Sequence, residues 1–172
     1  MRAVLAIDPG TTHSAYVAIG SNLINRFDKV ENKQLLKEIA RYRNSPHVQI
    51  VIEQIKPFRR VAETTMWTVW WYGRFHHHVK QIYGLDRPIF YVPRATVKRH
   101  FSAKNDSAIR KAMIDRWGWQ VDQMTADEWQ ALAVGSWALD QPKASLHEYT
   151  ATKLIEDVIA KSRNRRKKKA RK

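Results

Sequence analysis

Ala3-Val4-Leu5-Ala6-Ile7-Asp8-Pro9-Gly10-Thr11-Thr12 decides how the rest of the chain is read. Five apolar residues in succession predict a buried strand. Pro9-Gly10 closes it with a turn signal, so the strand delivers a carboxylate, Asp8, to its own end. Working outward, residues 14–19 predict a second strand, and Gly20-Ser21-Asn22 a hairpin turn into a third over residues 23–27. Leu35, Leu36 and Ile39 have helical spacing within a predicted helix over residues 31–42, which Ser45-Pro46 breaks. A fourth strand follows over residues 48–52 and ends at Glu53. After Lys56-Pro57 a long helix is predicted over residues 60–83, carrying Trp67, Trp70, Trp71 and Phe75. Residues 88–92 predict a fifth strand, 93–101 a short helix, and 107–117 a helix with Asp106 as its N-cap. Helices over 127–139 and 146–161 complete the pattern, and no internal repeat is present. A hairpin pair followed by strand–helix units implies an α/β chain with a mixed five-stranded sheet flanked by helices.

The 172 residues suit one domain, taken as residues 1–162, with residues 163–172 as a basic tail expected to be disordered. Charge is the most informative bulk property. Lys and Arg number 31 against 16 Asp and Glu, a net +15, and the last ten residues hold eight of those basic groups. Without them the body still carries +7. A surplus of this size points to a polyanionic partner, nucleic acid first among them. The chain has no cysteine, which rules out disulfides and thiolate metal sites. No apolar run approaches the roughly 20 residues of a membrane span, and the N-terminal stretch has no secretory cleavage signature. The expectation is a soluble, intracellular protein without a membrane partner.

Asp8 and Glu53 each end a strand. Side chains at strand ends beside a topological switch point line the ligand crevice of open α/β sheets. If the first and fourth strands are neighbours, the two carboxylates converge and repel each other unless a cation lies between them. Hard oxygen ligands select Mg²⁺, with Mn²⁺ as a substitute. A third acid is expected from a late helix. Asp127, Ala131, Val134 and Ala138 share one helical face, and small residues there would let the helix sit close to the sheet. Glu128 points roughly 100° away and is a fallback ligand.

The motifs Ile7-Asp8-Pro9-Gly10-Thr11-Thr12, Val51-Ile52-Glu53-Gln54, and Asp127 ahead of Ala131-Leu132-Ala133 resemble, in order and approximate spacing, the RuvC-type Holliday junction resolvases. Val97-Lys98 followed by Ser107-Ala108-Ile109-Arg110-Lys111-Ala112 resembles that family's basic region. The likeness covers roughly residues 2–140, looks phage-like, and implies the ribonuclease H-like fold. It further implies a crossover junction endodeoxyribonuclease, a homodimer cutting branched DNA, with Asp8, Glu53 and Asp127 as Mg²⁺ ligands and catalytic residues. If phage-encoded, it would work in the host cytoplasm. The family commonly has a second late aspartate where this chain has Gln130, so Gln130, Glu128 or Asp106 is left to complete the site. Two ions roughly 3.5–4 Å apart would activate water and stabilise the leaving oxygen, a scheme that needs no covalent nucleophile.

Lys98, Arg99, Lys104, Arg110 and Lys111 are candidate phosphate contacts. Arg59 and Arg60 join them from the segment after Glu53, where Phe58 either stacks on an unpaired base or packs into the core. His76-His77-His78 points in three directions on a helix and does not chelate one ion. Trp67 and Trp71, with Arg74 one turn on, give the long helix more aromatic surface than a chain of this size easily hides, which suits a subunit interface. Two other functions fit part of the pattern. Asp-x-Gly-Thr-Thr also occurs in the phosphate loop of actin-like ATPases, although those need two such lobes. A non-catalytic binder of branched DNA fits the neutral Gln130.

Overall fold

The structure, a computed structural model, describes residues 2–54, 63–84 and 88–141. Its elements run β1 (Ala3–Asp8), β2 (His13–Gly20), β3 (Ile24–Glu31), α1 (Asn32–Arg41), β4 (Val48–Gln54), α2 (Glu63–Tyr83) and β5 (Ile89–Pro93). There follow α3 (Arg94–His100), α4 (Asp106–Trp117), a 3-10 helix (Gly118–Gln123) and α5 (Ala126–Asp140). Strand order is β3-β2-β1-β4-β5. β1, β2 and β3 form an antiparallel meander, while β4 and β5 run parallel to β1. The mixed five-stranded sheet expected from the sequence is present. Phe58, Arg59 and Arg60, the helix expected over 146–161 and the basic tail lie outside the described residues.

Alternation along the strands sorts the core into two layers. Val4, Ala6, Ala15, Val17, Ile19, Val51 and Val92 face α3, α4 and α5. Leu5, Ile7, Tyr16, Ala18, Ile50, Ile52 and Tyr91 face α1 and α2. Because β1 and β4 are buried on both faces, they read as continuous apolar runs. The same parity sends Asp8, two residues beyond Ala6, and Glu53, two beyond Val51, to the α5 face.

Three boundaries differ from expectation. β3 continues to Glu31, past the expected end at residue 27, because it is an edge strand whose outer half, Asp28-Lys29-Val30-Glu31, is polar and only partly covered. Charged residues are how edges resist pairing with other chains, and they conceal the strand from a hydrophobicity reading. The N-cap of α4 is Asn105, whose side chain accepts the Ala108 N–H at 2.9 Å. Asp106 sits one residue inside the helix, where it pairs with Lys98 and Arg94. The 3-10 helix over Gly118–Gln123 had no periodic signal to announce it.

α5 lies close to the sheet, as its small residues suggested. A Cβ at Gly135 would lie 2.9 Å from Ile19 Cδ1 and 3.1 Å from Ala6 Cβ. Gly135 also stands on the Asp127–Ala131 face, two turns below the acid. Gly135→Leu is therefore expected to cost about 1–3 kcal/mol by overpacking, measured by urea unfolding. It should also lift Asp127 away from the sheet.

Candidate metal centre and its cationic partners

The loop after β1 is held from several sides. The Gly10 N–H donates to Ser14 Oγ at 3.0 Å, and the Ser14 hydroxyl donates to Asn32 Oδ1 at 2.5 Å. Asn32 Nδ2 donates to the Gly10 carbonyl at 3.1 Å, and Asn32 N–H to the Thr12 carbonyl at 2.9 Å. Ser14 and Asn32 are both buried. Gly10 is required because any Cβ there would collide with the His13 carbonyl. Asp-Pro-Gly-Thr-Thr thus fixes the backbone directly after Asp8 before any ligand arrives.

Ile7 pairs with Ile52 across the parallel β1–β4 ladder, so Asp8 and Glu53 follow side by side. α5 packs over β1 and β2 with Asp127 in its first turn. Burial pushes the Asp8 carboxyl well above the ordinary carboxylate range, and the charges of Glu53 and then Asp127 push it further. Burial also raises Glu53, against the opposing pull of Arg94. The three sequence-predicted acids are thus brought within electrostatic reach of one another. Cationic side chains stand among them. Lys29 Nζ lies 2.7 Å from Asp127 Oδ2, and Arg94 Nη1 lies 3.4 Å from Glu53 Oε1. Among the described residues no three acids or histidines form a ready ligand shell. The donor set is hard oxygen, and Arg94 and Lys29 offset only part of the repulsion at Asp8, which fits a divalent cation that competes with them for the same carboxylates.

The candidates for a fourth ligand separate clearly. Glu128 is buried and accepts the Thr125 N–H at 2.6 Å in a capping box, so its carboxylate serves the helix end. Gln130 accepts a hydrogen bond from Arg94 through Oε1. Asp106 receives Lys98 at 2.8 Å and Arg94 at 3.1 Å, and its carboxyl is held below the ordinary range, first by the Lys98 hydrogen bond. Arg94, which none of the sequence motifs singled out, therefore joins Glu53, Gln130 and Asp106. Its position was a usable signal, since it directly follows β5, the neighbour of β4, at the edge where Glu53 emerges.

Of the predicted phosphate contacts, the structure sets Lys98 beside the acids through Asp106. Arg110 pairs with Asp122 at 3.0 Å on the α4 side, while Arg99, Lys104 and Lys111 are exposed. Of the three consecutive histidines, His76 bonds the Tyr91 hydroxyl and His78 the Leu36 carbonyl, so both are tied to the fold. No helix among the described residues is long and apolar enough to cross a membrane.

A mixed β3-β2-β1-β4-β5 sheet flanked by helices is the ribonuclease H-like fold. Within that class the fold is RuvC-like. The RuvC of Thermus thermophilus, solved in complex with a Holliday junction substrate, superposes with a TM-score of 0.66 at 13% identity. That match covers 78% of this chain and 91% of the other. A further Thermus thermophilus RuvC structure gives 0.60 at 16% identity, covering 77% and 90%. No known family model matches the sequence, and no curated protein matches it. At these identities the likeness is one of fold.

Proposed function

We propose that this protein is a divalent-metal-dependent, structure-selective DNA endonuclease that resolves four-way junctions. The observation that carries the reading is that Asp8 and Glu53 end neighbouring parallel strands on the face that α5 covers, with Asp127 in the first turn of α5 and close enough for its charge to act on Asp8. These three side chains would hold Mg²⁺, or Mn²⁺ in its place. When bound, the ion supplies Lewis-acid activation of water and of the scissile phosphodiester. The chain's own residues do the rest. The Gly10–Ser14–Asn32 bonds keep Asp8 in position, and Gly135 keeps α5, and so Asp127, close. Lys98, Arg99, Lys104 and Lys111 neutralise phosphates along one side of the site.

The basic surplus supplies affinity for the polyanion. Deleting residues 163–172, which carry eight basic groups, should weaken binding to junction and linear DNA by similar factors. Each lost phosphate contact should make the slope of log K against log salt shallower by roughly 0.9. Salt titrations by fluorescence anisotropy measure both effects. A tail that reads structure would instead remove junction preference alone.

A second reading, a branched-DNA binder that does not cut, is favoured by the Lys29 and Arg94 ion pairs on Asp127 and Glu53. One experiment separates the two. A four-way junction, a flap and a linear duplex are incubated with the protein, with and without Mg²⁺. The nuclease reading expects Mg²⁺-dependent cutting of the branched substrates. Binding without cutting under every divalent ion would support the binder.

A further inference from the structure

Arg94 and Lys98 hold Glu53 and Asp106 in one bonded cluster, while Asp8 and the Lys29–Asp127 pair lie within electrostatic reach. With every carboxylate ionised, as a bound cation would require, these seven side chains sum to a single negative charge. The guanidinium of Arg94 is the hub. It bonds Glu53 at 3.4 Å, Asp106 at 3.1 Å and the neutral amide oxygen of Gln130. It is only about one-third exposed and is held by those three partners. An arginine stays charged under all working conditions, and its planar fork matches carboxylate and phosphate oxygens alike.

We propose that this chain works with one divalent cation rather than two, and that the Arg94 guanidinium supplies the second positive charge at the scissile phosphate. The inference rests on the nuclease reading. One divalent ion added to the cluster leaves a single positive charge, which one phosphodiester anion neutralises. Two such ions would leave a threefold positive site, which one phosphodiester anion does not neutralise. Gln130 fits the one-ion arrangement. Its oxygen accepts from Arg94 without adding a negative charge, whereas an aspartate there would draw in a further cation. During hydrolysis the oxygen of the attacking water joins phosphorus as the phosphorus–oxygen bond to the leaving strand breaks. The water gives up a proton to solvent, and the leaving oxygen takes one up from solvent. Arg94 donates N–H groups to the oxygens on which charge develops and exchanges no proton itself.

The test counts ions on the full-length protein by Mn²⁺ electron paramagnetic resonance and isothermal titration, beside single-turnover cleavage. Circular dichroism melts establish that each variant folds. The wild type should bind one Mn²⁺ per chain, and Asp8→Asn should abolish that site. Arg94→Met combined with Gln130→Asp should bind two. Arg94→Met alone should cut roughly 10²-fold more slowly or worse with junction affinity little changed. Arg94→Lys should recover part of that loss and still bind one ion. Two Mn²⁺ per wild-type chain, both lost with Asp8→Asn, would overturn the one-ion proposal and leave the nuclease reading standing. Unchanged cleavage by Arg94→Met would also overturn it. No Mn²⁺ bound at all would defeat the nuclease reading itself, and this inference with it.

Discussion

Asp8→Asn should lower junction cleavage on the order of 10³-fold while raising the thermal midpoint of the metal-free protein. The two effects have one cause. Asp8 is held where burial, Glu53 and Asp127 all disfavour its charge. A neutral amide of nearly the same shape removes that repulsion, and with it the oxygen charge that a cation needs. The sign with pH follows from linkage. The folded-state pKa of Asp8 is raised, so the folded chain holds this proton more tightly than the unfolded chain does. The favourable contribution is complete below the ordinary carboxylate range and is lost as pH rises through the raised folded value. Glu53 shifts in the same direction. Melts of the metal-free wild type should therefore fall across that window, and those of Asp8→Asn should fall less. Saturating Mg²⁺ should recover stability in the wild type and not in the variant. A variant that melts lower than wild type at neutral pH would show that Asp8 is a structural anchor.

The second large effect concerns assembly. We expect the protein to sediment at about twice 20.2 kDa, and Trp67→Glu to give a folded monomer. α2 buries Phe75 and Val79 but leaves Met66, Trp67, Val69 and Trp70 exposed at 61%, 50%, 45% and 46%. Four large apolar side chains on adjoining turns of one helix form an unusually continuous patch for a monomer. Of the three tryptophans, Trp67 is outermost, while Trp71 stacks on Phe75. A second copy suits the patch because a four-way junction has approximate two-fold symmetry. Resolution needs two cuts, which a C₂ dimer would place at a fixed separation. Losing an interface tryptophan costs roughly 2 kcal/mol or more, and an isologous contact loses it twice. The variant should bind one junction arm and nick singly, without paired cuts. A wild type that stays monomeric at micromolar concentration, free and on junction DNA, would remove this part of the account.

How much of the site the sequence disclosed depended on whether its signal was local. Asp8 and Glu53 ended apolar runs that are buried on both faces, so strand, end and carboxylate were read together. Helical rotation favours Asp127 over Glu128 as the candidate ligand, and the structure adds that the Glu128 carboxylate is engaged in the capping box at Thr125. The Thr-x-x-Glu spacing is itself a local signal of that capping box. Lys29 was hidden because β3 was ended at residue 27, two residues short of it. The polar second half of an edge strand lacks the alternation that marks a half-buried one. Arg94 was hidden for another reason. Its partners Glu53 and Gln130 lie far away along the chain in both directions, and only the sheet order brings them together. The acids declare themselves in sequence, whereas the cations that balance them are a property of the fold.

The most direct measurement starts from a labelled four-way junction bound to full-length protein in EDTA. Excess Mg²⁺ is then added, and product is followed in a single turnover for wild type and Asp8→Asn side by side. The account predicts that both hold the junction equally. The wild type then cuts paired strands promptly on Mg²⁺ addition, and the variant leaves the junction intact over the same period. A wild type inert with Mg²⁺ and Mn²⁺ alike, or a variant that cuts as fast as wild type, would contradict it.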